Sequence, residues 1–205
     1  MGSPFMVALC HFGGNLMVKN FNEILYQNET MKTERLILRR FRPEDAADML
    51  EYASCPETVK TLEWDGAQTL EEVKAAIFNF SLSRPGIWAI EIEENGKMIG
   101  AIDIRLKHAH DKASFGYVIN SKFWGRGYMT EALEEVMKLC FTKLNLNRME
   151  ASHYCDNPAS GRVMEKVGMF KEGQGKQNEI VKGVFKNLVF YGLCRSDYDE
   201  KLRNK

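Results

Sequence analysis

The sequence predicts an α+β domain: a hairpin-rich, mostly antiparallel sheet with helices on both faces. Three observations point there. Apolar residues alternate on either side of Asn95-Gly96, a favoured two-residue hairpin turn. Other stretches space their apolar residues by three and four and carry start signals, as in Thr69-Leu70-Glu71-Glu72, a capping box. Finally, a strand-like run, Phe115 to Ile119, feeds the turn Trp124-Gly125-Arg126-Gly127-Tyr128, which opens an amphipathic helix.

In chain order, residues 1–30 read as an extension, and a confident pattern starts at Met31. Met1 to Leu9 is apolar but has no basic n-region, and Gly13-Gly14 interrupts it, so it is not a signal peptide. Gly2 lacks the Ser or Thr at position 6 that myristoylation wants. Arg35 to Arg39 is a β-rich run, the expected first core strand. Pro43 starts a helix with Ala46, Met49, Leu50 and Ala53 on its stripe, and Cys55-Pro56 stops it. A short helix from Thr58 to Leu62 follows. Leu70, Val73, Ile77 and Phe80 make the next helix, ended by Pro85-Gly86. Trp88, Ile90 and Ile92 form one hairpin arm; Ile102, Ile104 and Leu106 lie on the other. A polar turn, His108 to Lys112, leads back to Phe115.

After the glycine turn, Leu133, Val136, Met137, Cys140, Phe141 and Leu144 give one buried helix face. A strand from Arg148 to Tyr154 follows. Asn157 caps the next helix, Pro158 sits at its first position, and Gly168 ends it. Phe170 begins a strand that leads to a flexible Glu172 to Gly175 segment. Phe185 to Cys194 is the final strand. The domain covers 31–198, with 199–205 as a tail.

Composition narrows the function. Among 205 residues, 28 basic side chains balance 28 acidic ones, which excludes a nucleic-acid binder relying on a strong basic field. Five cysteines without a CxxC suggest neither a disulfide framework nor a zinc site, so a reducing cytoplasm is expected. No apolar run is long enough for a membrane span. His108, His110 and His153 lack a ligand pattern, and no metal is expected. Either a monomer or a homodimer fits.

The glycine turn is an anion-site candidate, because a helix start offers free N–H groups and a favourable dipole. It is not a Walker loop, which needs Gly-Lys-[Ser/Thr]. Nor is it a Rossmann fingerprint, since Thr130 stands where a third glycine belongs.

Lys122-Phe-Trp-Gly125-Arg-Gly127-Tyr128 resembles the coenzyme A signature of the GNAT superfamily of N-acetyltransferases, with Lys122 where Gln or Arg is usual. Asn157-x-x-Ser160, then Glu165-Lys166-Val167-Gly168-Met169-Phe170 and Glu172-Gly173, resemble the ribosomal-protein N-terminal (Rim-type) branch. Thr33 to Arg39 and Trp124 to Ala132 resemble it too. The resemblance covers about residues 31–198. It implies a GNAT-like mixed, mostly antiparallel sheet with a splayed strand pair for the cofactor, acetyl-CoA as cosubstrate, and a primary amine as acceptor. It further implies pantetheine and acetyl contacts from the backbone of Tyr117, Val118 and Ile119. The pyrophosphate falls to the turn Trp124, Gly125, Arg126, Gly127, Tyr128, Met129 and Thr130, and Asn157 contacts the pantetheine.

Acetyl transfer from a thioester needs a neutral amine, a polarised carbonyl and a protonated leaving thiolate. Many GNAT enzymes place a Tyr acid where Met164 stands; the branch resemblance points instead to Ser160, in a first helical turn. For the base the candidates are Glu179, through the same resemblance, and Asp103, a lone carboxylate between Ile102 and Ile104. A water chain is the third option. The acceptor is a protein N-terminal α-amine or a small amine such as a polyamine, amino acid or aminoglycoside. A CoA-binding module without turnover is the reading from another class. Trp64-Asp65-Gly66 is a candidate substrate contact.

Overall fold

The computed structural model describes residues 20–204. The readings made for Gly2, Cys10 and the rest of residues 1–19 lie outside the described residues. Eight strands form one sheet in the order β1-β2-β3-β4-β5-β6-β8-β7. They are β1 (Met31–Lys32), β2 (Leu36–Arg39), β3 (Ile87–Ile92), β4 (Met98–Lys107), β5 (Lys112–Ile119), β6 (Arg148–Tyr154), β7 (Phe170–Val181) and β8 (Val184–Cys194). Every neighbouring pair is antiparallel except β5 and β6, which run parallel.

The period-two pattern sorts side chains between two cores. Trp88, Ile90 and Ile92 of β3 join a large core with α5 (Tyr128–Lys138) and α6 (Pro158–Lys166). Ile87 and Ala89 of the same strand face the other side, with α2 (Ala46–Ala53) and α4 (Leu70–Ala76). Thr69 caps α4 as its capping box predicts, its hydroxyl accepting from the Glu72 N–H at 3.2 Å. The stripe read from Leu133 to Leu144 is wholly buried; α5 continues through a wider turn at Leu139–Lys143.

Several readings need correction. Residues 20–30 are not an appendage. A helix, α1 (Phe21–Gln27), buries Phe21 and Leu25 in the large core, and Trp88 Nε1 donates to the Asn28 carbonyl at 3.1 Å. The expected helix at Thr58–Leu62 is α3 (Pro56–Val59), because Pro56 that ends α2 also starts the next turn. The polar turn ends earlier than Lys112, with Asp111 left-handed at φ 45° and β5 starting at Lys112. Glu172 to Gly175 is not a flexible segment. It lies inside β7, paired to β8 with register shifts at Lys171/Gly173 and Gly175/Glu179. Glycines there mark bulges rather than a loop. The tail is α7 (Arg195–Arg203), whose Tyr198 stacks on Phe141 at 4.5 Å. No helix among the described residues is long and apolar enough to cross a membrane.

Candidate active site

The one parallel pairing creates the site. β5 and β6 are in register only at Lys112–Ser114 against Arg148–Glu150. Beyond that, β5 continues to Ile119 and β6 to Tyr154 without pairing, so the strands part. Ion pairs hold the closed end. Glu150 receives Lys107 Nζ and Lys112 Nζ, each at 2.9 Å. Burial pushes the Glu150 carboxyl up, but these lysines outweigh it and bring it down to about 2.

The open end exposes backbone. The Asn120 N–H bonds to the Ile99 carbonyl at 2.8 Å while Ile119 sits opposite Gly100. That geometry makes Ile119–Gly100 a non-hydrogen-bonded pair. The N–H and C=O of Ile119 and Tyr117 therefore point into the gap. Val118, grouped with them by the resemblance, pairs its backbone with Ala101 of β4 instead. Trp124 Nε1 donates to the Ile119 carbonyl at 2.8 Å, tying the strand end to the glycine turn.

Gly125 and Gly127 have φ of 74° and 80°, a region costly for other residues. Gly127 is the N-cap of α5 and offers no side-chain cap, so the amides of Tyr128, Met129 and Thr130 point outward uncapped. A Cβ at Gly125 would meet nothing within 4 Å, so the turn has open space in front of it. Arg126 lays its guanidinium over the Phe123 ring at 5.3 Å, and the Met129 side chain is buried.

The turn is braced from below by residues that individual motif positions do not reveal. Glu131 accepts the Thr33 hydroxyl at 2.5 Å and the Arg35 N–H at 2.8 Å. Arg35 Nε reaches the other Glu131 oxygen at 2.7 Å, Arg35 Nη1 reaches the Arg126 carbonyl at 3.1 Å, and the guanidinium covers the Tyr128 ring at 4.6 Å. Burial raises the Glu131 carboxyl, but the Thr33 and Arg35 bonds prevail and hold it below its ordinary value. The signal was the Thr33 to Arg39 motif itself.

On the far side of the gap, Asn157 Oδ1 accepts the Ser160 N–H at 3.4 Å as the cap of α6. Ser160 faces β5. The Tyr117 hydroxyl lies 2.7 Å from Ser160 Oγ and donates to the Ser160 carbonyl at 2.8 Å. Burial lifts the Tyr117 phenol above its ordinary value despite the Ser160 bond, so it stays neutral. Sequence reasoning assigned only backbone to Tyr117 and missed this side chain.

One cleft of about 1850 Å³ is lined by Tyr117, Ile119, Gly125, Thr130, Asn157 and Ser160, among others. Glu179 of β7 and Asp103 of β4 line it too. Glu179 is exposed and has no ion pair among the described residues. Asp103 is committed to Arg84 at 3.1 Å and Arg105 at 3.0 Å. Trp64 is half-exposed on the same wall.

Comparison with known proteins agrees with this fold. A sequence model described as "Acetyltransferase (GNAT) domain" matches residues 35–170. The "Uncharacterized N-acetyltransferase p20" of Bacillus licheniformis is 30% identical over 176 residues, covering 83% of this chain and 98% of that protein. A GNAT-family acetyltransferase structure from Bacillus anthracis superposes with TM-score 0.75 at 25% identity, covering 82% of this chain and 99% of that one. The structure titled ribosomal-protein-S5-alanine acetyltransferase from Vibrio fischeri shares the fold at TM-score 0.69 and 19% identity, over 82% and 98%. The chain thus belongs to the GNAT family of acetyl-CoA-dependent N-acetyltransferases.

Proposed function

We propose that this enzyme acetylates a protein N-terminal α-amine by direct attack within a ternary complex. The observation that carries the reading is the Ser160 hydroxyl, held 2.7 Å from Tyr117 across the mouth of the gap. Acetyl-CoA supplies an activated thioester when bound. The residues fitted to hold it are the gap-facing backbone of Tyr117 and Ile119, the amides from Gly125 to Thr130, and the Asn157 side chain. Their fit rests on unpaired backbone at the gap and an uncapped helix start with open space before it. The pyrophosphate charge complements those amides and the helix dipole.

Ser160 is the donor to the departing thiolate. Tyr117 is a positioning residue that fixes the serine rotamer. With the Tyr117 proton on the Ser160 carbonyl, the phenol oxygen accepts the Ser160 Oγ–H, and the serine turns that proton from Tyr117 to the sulfur as the thiolate departs. A gap-facing N–H of β5 polarises the acyl carbonyl.

Glu179 is the base. It is the unpaired carboxylate of the two candidates, whereas Asp103 is held by two arginines. An exposed carboxylate is a weak base. It suits an α-amine, with a pKa of about 7.7–8.0, better than a lysine-type amine at about 10.4. A panel of N-terminal peptides and small amines, read by release of free CoA thiol, tests the acceptor. Peptides with free α-amines should be acetylated faster than their N-methylated counterparts and faster than simple alkylamines. Equal rates for alkylamines and peptides would remove the N-terminal assignment.

A further inference from the structure

The sheet has two unlike faces. Ile102 and Ile104 of β4 point into the large core beneath α5 and α6. Asp103 and Arg105 alternate with them, so they point to the opposite face, where they line the cleft with Arg84 and Gly116. Glu179 stands on that face as well. Its register partner Lys186 shares a side of β8 with Leu188, while Val189 faces the large core. With Glu179 as the base, the acceptor arrives over these side chains.

Two guanidiniums share one carboxylate there. Arg105 Nε and Nη2 donate to Asp103 Oδ2 and Oδ1 at 3.0 and 3.3 Å, and Arg84 Nη2 donates to the same Oδ2 at 3.1 Å. Arg84 Nη1 goes to the Ile104 carbonyl at 2.8 Å. Among the described residues, Arg84 Nε and Arg105 Nη1 donate to nothing. The two side chains are 35% and 52% exposed, so the pair is open to a ligand. Two cations on one anion leave one positive charge over. The carboxylates of flanking elements are already taken. Glu150, across β5, is held by Lys107 and Lys112, Glu172 by Arg148 and Glu29 by Arg40, while Glu72 caps its own helix. Glu63, Asp156 and Glu179 gather instead around Tyr154, at the far end of β6.

Gly116 fixes where the surplus charge sits. A Cβ there would lie 2.9 Å from Asp103 Oδ1 and 3.0 Å from Arg105 Nη2. The bare backbone lets the ion pair lie down on β5, one residue before Tyr117, whose backbone faces the gap. Resting on the N-terminal reading of the acceptor, we propose that Arg84 and Arg105 form a carboxylate subsite, so that the preferred N-terminus carries Asp or Glu at its second or third residue. An arginine fork matches a carboxylate and reads it with charge-assisted hydrogen bonds. Gly116 is one residue from Tyr117, and Ser114, opposite Arg105, is three residues from it. At a strand's rise the subsite thus spans about 3–10 Å from Tyr117, a reach of one to three residues of extended acceptor chain. One surplus charge suits a single side-chain carboxylate and is too little to hold a polyanion.

Three C-terminally amidated peptides test this on the full-length enzyme with acetyl-CoA: Ser-Ala-Ala-Ala, Ser-Asp-Ala-Ala and Ser-Ala-Asp-Ala. At least one acidic peptide should have a kcat/KM about fivefold above the neutral one, gained through KM. Arg105→Gln should shrink that ratio about twofold or more, and Arg84→Gln should do the same. Arg105 is half-exposed and holds no backbone group, so its variant keeps the fold even if Arg84→Gln, which gives up the Ile104 carbonyl, does not. Equal kcat/KM for the three peptides, with acetylation proceeding, overturns the subsite and leaves the N-terminal reading standing. A ratio unmoved by Arg105→Gln also overturns the subsite. If alkylamines are acetylated and none of the peptides is, the N-terminal reading fails and the subsite falls with it.

Discussion

At Lys112–Ser114 the strands β5 and β6 are hydrogen-bonded neighbours; from Phe115 onward the same two strands share no pairing. The closed end spends its backbone groups on the sheet and its charges on the Lys107–Glu150–Lys112 cluster. The open end leaves backbone groups unspent and places Tyr117 and Ser160 across the gap. Stability is concentrated at one end and binding capacity at the other. An unpaired backbone group near the cavity is affordable because a ligand can complete it, and because the closed end keeps the strands from separating further.

Variants at the two ends should therefore fail differently. The largest effect belongs to the open end: Ser160→Ala should lower kcat about a hundredfold while acetyl-CoA affinity holds, by steady-state kinetics and calorimetry. Unchanged turnover would take Ser160 out of the chemistry. Next, Gly127→Val forces a branched side chain at φ 80° with its Cβ 3.4 Å from Arg35 Nη2. It should cost about 1–2 kcal/mol and weaken acetyl-CoA binding about tenfold, read by thermal melts and calorimetry. Tyr117→Phe keeps the ring and loses the hook on Ser160; kcat should fall several-fold to about tenfold with the acetyl-CoA KM steady. A rise in KM without a fall in kcat would make Tyr117 a wall of the cleft instead.

The smallest effect belongs to the closed end. Glu150→Gln should lower stability by about 1 kcal/mol at neutral pH, or ~2–4 °C in melting temperature, with kcat unaltered at low temperature. The sign with pH follows from its depressed pKa. The stabilisation is present above the ordinary value of 4.5 and is lost as pH falls toward about 2. Wild type and Glu150→Gln should therefore converge in melting temperature at the acid end. A gap that persists there would mean that the glutamine destabilises through packing.

The sequence is most readable where one residue type serves one local need. Thr69 as cap, Pro158 at a first helical position and Gly168 at φ 94° all fall where local chemistry puts them. It is least readable where a feature is the lack of something. The gap between β5 and β6 consists of hydrogen bonds that are not made, and any residue type can leave a backbone group free. Long-range pairing also overrides composition. Gly173 and Gly175 look like loop residues, yet β8 recruits them into a twelve-residue strand. The Tyr117–Ser160 contact joins positions 43 residues apart, a proximity that strand and helix packing creates and motif spacing does not. Phe21 and Leu25 have helical spacing, but one turn of apolar residues is too little to separate a docked helix from a loose extension.

The bond from Trp124 Nε1 to the Ile119 carbonyl carries a further consequence. It joins the end of the gap-facing strand to the start of the glycine turn, and Arg35 anchors that turn to the β1–β2 connection. On the proposed function, the two ends of the donor are held by parts that these two hydrogen bonds tie together. The proposed donor cleft would then act as a ruler: its length is set by the fold, and a carrier whose arm is too short or too long would present its acyl carbon to empty space rather than to Ser160. Selection among acyl carriers can then rest on reach alone.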